Sequence, residues 1–151
     1  MKTNSQKYKQ IIIPEVSTEK WENLSLRDVQ KKMAEHYRAK YPNTRTVKNQ
    51  HLGIKIGFES DGLGKTCRGG SNYPTKNCLV EILDKLIRYA EFNNFGNRKP
   101  KDKPNVLGYL NFKAKAKING KIEHIRLTIR ITKRNEGRFT FHYSMSVNIW
   151  Q

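Results

Sequence analysis

The C-terminal third of the chain alternates between apolar and polar residues with a period of two. One parity carries Leu110, Phe112, Ala114, Ala116 and Ile118, then Leu127, Ile129 and Ile131, then Phe139, Phe141, Tyr143, Met145 and Val147. The other carries Lys113, Lys115 and Lys117, then Arg126, Thr128 and Arg130, then Arg138, Thr140, His142, Ser144 and Ser146. Successive strand residues point to opposite faces, so the pattern predicts a three-strand antiparallel meander with one face buried and one open. Asn119-Gly120 falls between the first two strands. It is a preferred pair for a two-residue type I′ turn, where both positions need positive φ. Arg134 to Gly137 supplies the second turn.

Upstream the period changes. Leu26, Val29, Met33, Ala34 and Tyr37 recur at helical spacing, with His36 and Arg38 off the stripe. Ser25 is placed to cap this helix, Asp28 approximates a capping box, and Pro42 stops it near Tyr41. A second stripe of Cys78, Leu79, Ile82, Leu83, Leu86 and Ala90 predicts a helix from Thr75 or Asn77 to about Phe92, with Glu81 and Lys85 paired along it. Between the two, Thr46 to Phe58 reads as a strand or short hairpin, with a turn or bulge at Asn49 to Gly53. Ser60 to Pro74 and Asn93 to Pro104 read as loops rich in glycine, proline and charge. Residues 1–22 are expected to form a basic arm and a linker anchored by Trp21, and 23–151 a single domain. The expected fold is α+β: two helices packed on one face of a roughly four-stranded antiparallel sheet that ends in the meander.

Charge adds a partner to this picture. Lys and Arg number 30 against 13 Asp and Glu, a formal charge of +17 over 151 residues. That excess is larger than solubility needs and attracts polyanions. RNA or another nucleic acid is the leading partner, ahead of an anionic membrane or an acidic protein. The apolar run Ile11-Ile12-Ile13 ends at Pro14, too short for a signal peptide or a membrane span. A soluble, cytoplasmic protein with no membrane partner is expected. Cys67 and Cys78 have no zinc spacing, and two free thiols are favoured over a bridge. No cofactor or metal is expected, since the acidic residues form no paired-carboxylate cluster.

Three places carry candidate chemistry. Gly64-Lys65-Thr66 resembles part of a phosphate-binding loop, but Glu59 stands where that loop needs a glycine and Arg68-Gly69-Gly70 breaks the helix that should follow. Nucleotide hydrolysis is rejected; Lys65 stays a mobile cation that can reach a phosphate, or an ordinary loop lysine. The open face of the meander is the second. Arg126, Thr128 and Arg130 project to one side, with His142 and Ser144 on the next strand and Lys113, Lys115 and Lys117 on the previous one. Guanidinium groups hold phosphate bidentately, and an unperturbed imidazole titrates near neutrality. Those are the parts of metal-free RNA cleavage: a base for the 2′-hydroxyl, an acid for the leaving 5′-oxygen, and cations for the phosphorus-centred charge. A solvated face, or nucleic-acid binding without chemistry, uses the same residues. His51, in the turn beside the basic loop, is the third: a second acid/base group or a solvent-facing turn histidine.

The run Val47-Lys48-Asn49, Gly53 to Phe58, Gly64-Lys65, the helix Leu79 to Ala90 and the meander through Val147 together resemble a known group. This is the phage- and mobile-element-associated branch of the barnase/EndoU/ribonuclease-colicin/RelE-like nuclease superfamily. The likeness covers about residues 45–149. Such domains often end large polyvalent phage proteins or bacterial toxins. The resemblance implies an α+β fold and metal-independent RNA cleavage on the open sheet face. It matches Lys65 to a basic position after the first strand, Leu127-Thr128-Ile129-Arg130 to a polar strand, and His142 and Ser144 to the last strand. No glutamate on the open face corresponds to the general base of some relatives. The expected function is thus a metal-independent RNA endonuclease of phage-effector or toxin type. His142 would be its acid or base, Arg126 and Arg130 would hold the phosphate, Lys65 would close over it, and Thr128 or Ser144 would orient it. Lys113, Lys115, Lys117, Arg68, Arg138 and His51 would bind the flanking chain. The alternatives are a non-catalytic binder using the same face, and a basic phage or mobile-element protein that inhibits a host protein or pairs with an acidic antidote.

Overall fold

A computed structural model describes residues 12–58 and 73–133, together with the strand backbone of 139–143 and 148–150. The strands are β1 (Glu15–Val16), β2 (Thr46–Lys48), β3 (Lys55–Phe58), β4 (Glu91–Asn97), β5 (Val106–Ile118), β6 (Lys121–Lys133), β7 (Phe139–Tyr143) and β8 (Asn148–Trp150). The helices are α1 (Leu26–Lys40), α2 (Pro74–Asn77) and α3 (Leu83–Tyr89), with short 3₁₀ segments at Glu19–Trp21 and Cys78–Ile82. All eight strands among the described residues join one sheet, in the order β1-β5-β6-β7-β3-β2, with β4 beside β5 and β8 beside β6.

The α+β class is as the pattern implies, but the sheet is mixed. β1 joins β5 in parallel and β3 joins β7 in parallel. Alternation fixes which face a residue takes and is blind to strand direction, and these pairs join segments far apart in the chain. The β5–β6 hairpin carries the predicted turn: Asn119 and Gly120 both have positive φ, +51° and +83°. The core sits between one face of this sheet and the helices. Leu110, Phe112, Ala114, Ala116 and Ile118 of β5 and Ile125, Leu127, Ile129 and Ile131 of β6 are buried in it.

α1 starts where expected: the Ser25 Oγ accepts from the Asp28 N–H at 3.1 Å. Its buried residues are Val29, Met33 and Tyr37, while Leu26 is exposed. Tyr41, just past its end, stacks on Phe58 at 4.6 Å between ring centroids. The Tyr41 hydroxyl donates to the Val80 carbonyl at 2.7 Å and accepts from the Leu83 N–H at 3.0 Å. That acceptor serves an amide that α3, as it begins, leaves without a helical partner. Burial, followed by the nearby Asp84 charge, pushes the Tyr41 phenol well above its ordinary range.

The second helix departs from expectation. It is a chain of α2, a 3₁₀ segment and α3, and it ends at Tyr89 rather than near Phe92. The cause is Asn49, fully buried in the turn between β2 and β3. Its Nδ2 donates to the carbonyls of Ile87 and Ala90 at 2.8 and 2.9 Å, and its Oδ1 accepts from the Leu52 N–H at 2.9 Å. Gln50 N–H donates to Arg88 O, and the Phe92 N–H donates to Nδ1 of His51 at 2.7 Å. The turn therefore caps the helix and starts β4. Residues 93–97, expected in a loop, lie in this strand and pair with β5 around a bulge between Phe92 and Asn94. Glu81 does not serve Lys85 in the way expected. Its Oε2 accepts from the Trp21 indole N–H at 2.8 Å, and Lys20 lies 4.0 Å from Oε1.

Trp21 is buried as the anchor of the N-terminal segment. The segment docks further through β1 and through Thr18 and Asn119, which exchange hydrogen bonds of 3.0 and 2.7 Å. Cys78 is a buried free thiol, pushed up to about 12 by burial and then by Glu81. Cys67 and residues 1–11 lie outside the described residues.

One ion pair couples the fold to pH. Asp84, mostly buried, accepts from the Arg45 guanidinium at 2.9 Å and lies 3.6 Å from the Lys40 ammonium. Burial alone would raise its carboxyl, but the Arg45 bond and the Lys40 charge outweigh it and hold the group below the ordinary range. A depressed carboxylate contributes stability that is present above its unfolded pKa near 4 and is lost as pH falls through its folded value. Asp84→Asn should cost about 2 kcal/mol at pH 7. The difference from wild type should shrink when melting is followed below pH 4.

Candidate nucleic-acid interface

The face opposite the core is built in rows by the strand register. Partners directly opposite in an antiparallel pair share a face, and rows repeat every second residue, about 7 Å along each strand. One row runs Glu91, Lys113, Arg126, Asn148. The next toward the hairpin carries Lys115, His124 and Trp150. On the other side lie Asn94, Asn111 and Thr128, then Gly96, Tyr109, Arg130, His142 and Gly57. Lys113, Lys115, His124 and Arg126 are exposed, whereas Thr128 and Arg130 are half-buried.

The middle of the face is an amide ladder. Asn111 Nδ2 donates to Asn94 Oδ1 at 2.9 Å, and the Thr128 hydroxyl donates to Asn111 Oδ1 at 3.2 Å. Beside it, the Tyr109 hydroxyl donates to Asp102 Oδ2 at 2.6 Å, the same oxygen that accepts the Lys99 N–H at 2.6 Å. Arg98 donates to the carbonyls of Val106, Asp102 and Lys103, so the β4–β5 loop folds against the row of Arg130. Burial and the Asp102 carboxylate push the Tyr109 phenol up to about 12, with the Arg130 charge pulling the other way. Tyr109 therefore stays neutral near pH 7 and acts as a fixed donor rather than a base. Asp102 is held below the ordinary carboxylate range by the Tyr109 bond and by the Lys99 amide.

The predicted site residues separate into groups. Lys113, Lys115, Arg126, Thr128 and Arg130 share the open face. Lys117 is there too, half-buried and 3.6 Å from the Glu15 carboxylate. His142 holds the backbone position opposite Arg130. His51 is tied by Nδ1 to the start of β4. Lys65, Arg68, Arg138 and Ser144 lie outside the described residues. Sequence reading missed Tyr109 and Asn111, although both have the parity of Lys113, and it missed Asn94 because β4 was read as a loop. Among the described residues no three His, Cys, Asp or Glu side chains converge to hold a metal ion. No helix among them is long and apolar enough to cross a membrane.

A family model described as large polyvalent protein-associated domain 3 matches residues 25–143, from the cap of α1 to the end of β7. The chain belongs to this family. The match takes in both helical segments and the part of the open face on β3 to β7, and it places the domain among those associated with phages and mobile elements. No curated protein and no solved structure matches the chain.

Proposed function

We propose that the open face of this large polyvalent protein-associated domain binds the backbone of a nucleic acid, RNA before DNA. The observation that carries the reading is the grid of Lys113, Lys115, Arg126 and Arg130 on two adjoining strands, facing away from the core. A polyanion laid across cations fixed on a sheet gives up its own condensed counterions, and the affinity is steeply salt-dependent. The carboxylates near this face are already engaged or marginal. Glu15 pairs with Lys117, Asp102 accepts from Tyr109, and Glu91 stands at the outer strand.

A second reading, metal-independent RNA cleavage, has one observation of its own: Arg130 stands in register between Tyr109 and His142. In that reading His142 takes the proton of a 2′-hydroxyl. The 2′-oxygen then attacks phosphorus, and the bond to the 5′-oxygen breaks. The products are a 2′,3′-cyclic phosphate and a 5′-hydroxyl, whose proton comes from the conjugate acid. Arg126 and Arg130 hold the charge that develops on the phosphoryl oxygens. Thr128 orients the phosphate. The test is incubation of the pure protein with total RNA in EDTA, with product ends identified. Cleavage to cyclic-phosphate ends, lost in His142→Ala, supports the reading. Intact RNA removes it and leaves binding alone, and cutting that needs added Mg²⁺ removes the metal-free mechanism.

A further inference from the structure

We propose that a slot at the edge of this face takes one unstacked nucleobase of the bound strand; the inference rests on the open face being a phosphate-binding surface. β4 pairs with β5 as far as Lys113, and β1 begins to pair with it at Lys117. Between them neither strand covers Ala114 to Ala116. A cavity of about 140 Å³ lies in that gap. Pro14, Leu86, Tyr89 and Ala114 give it apolar wall, the charged Lys85, Glu91 and Lys113 also line it, and Lys115 and His124 line it from the open face.

Three features point to a base. The volume is well under that of the ~300–1,000 Å³ sites that take drug-sized ligands, and suits one flat ring system. Tyr89 is half-buried at the end of α3 and gives the wall an aromatic surface. Main-chain polar groups also face the gap. The Lys117 N–H donates to the Pro14 carbonyl across this edge, so by the period of two the N–H and C=O of Lys115 face it as well. Neither β1 nor β4 pairs with Lys115 there. An apolar wall with one donor and one acceptor at its rim suits the edge of a base. The cations beside it suit the phosphates on either side. An apolar side chain would match the walls but not this rim.

The test uses a short single-stranded RNA and an oligomer of the same length and charge with abasic residues throughout. Wild type should bind the intact RNA about tenfold more tightly than the abasic strand. Ala114→Leu fills the slot, and Tyr89→Ala removes its aromatic wall. Either variant, shown to be folded by its melting transition, should bind both oligomers at the abasic level with an unchanged salt slope. Equal binding of both oligomers by wild type would overturn the slot and leave the face reading standing. Binding of neither would overturn both. An acidic aromatic peptide of matched charge that binds more tightly than the RNA would reassign the slot to a protein ligand and overturn the proposal.

Discussion

Replacing Lys113, Lys115 and Arg126 together by alanine should weaken RNA binding on the order of a hundredfold at physiological salt. It should also flatten the plot of log affinity against log salt by about 2 for a single strand, since each lost phosphate contact removes about 0.7 from the slope. The three side chains are exposed, and they sit on strand positions whose neighbours Phe112, Ala114, Ile125 and Leu127 fill the core. The fold should therefore be nearly unaffected, within about 0.5 kcal/mol. A matched control removes Arg27, Lys31 and Arg38, which are exposed on α1. The same net charge is lost there, so a general attraction between a +17 chain and RNA would weaken equally in both variants. A specific face predicts a large loss only in the first. Filter binding or fluorescence anisotropy across a salt series reads both quantities.

Trp21→Ala should destabilise the domain by about 3–5 kcal/mol and lower the melting temperature on the order of 10 °C. The residue lies outside the segment covered by the family match, yet its ring is 1% exposed and packs in the common core. Its indole N–H donates to Glu81, the Lys32 ammonium stands 4.8 Å from the ring centroid, and the His36 ring lies at 5.7 Å. Removing the ring leaves a cavity where α1 and the 3₁₀ segment meet, and it leaves the Glu81 carboxylate without its donor. Trp21→Phe keeps most of the volume and loses the hydrogen bond, so it should cost about 1–2 kcal/mol. A melting temperature within 2 °C of wild type for Trp21→Ala would mean that this segment is an appendage rather than part of the core.

The parts of this fold legible in the sequence are those governed by one local rule. The β5–β6 hairpin is written in its alternation and in Asn119-Gly120, because both strands and the turn are contiguous. The Ser25 cap and the stop before Pro42 are likewise local. The burial of the second helical segment was legible too, and Cys78, Leu79, Ile82, Leu83, Leu86 and Ala90 are all in the core. Its end was not, because Asn49, about forty residues upstream, captures the Ile87 and Ala90 carbonyls. β4 was hidden for a related reason. Its sequence, Glu91 to Asn97, holds three asparagines and a glycine, which favour turns. Pairing with β5 overrides that preference. The parallel neighbours of β5 and β7 come from distant segments, and no periodicity announces them.

The candidate site divides along the same line. The cations on β5 and β6 followed directly from parity. The amide ladder from Asn94 to Thr128 needed β4 in place, and the Tyr109–Asp102 bond needed the fold of the β4–β5 loop. Tyr109 itself was within reach, since it precedes Lys113 by two periods.

Lysine footprinting tests the central claim most directly. The protein is acetylated with and without saturating RNA, and the modified lysines are quantified by mass spectrometry. An open-face interface predicts strong protection of Lys113 and Lys115, with Lys31 on α1 and Lys121 at the far hairpin end modified as before. Protection of Lys31 equal to that of Lys113, or no protection at either, would contradict it.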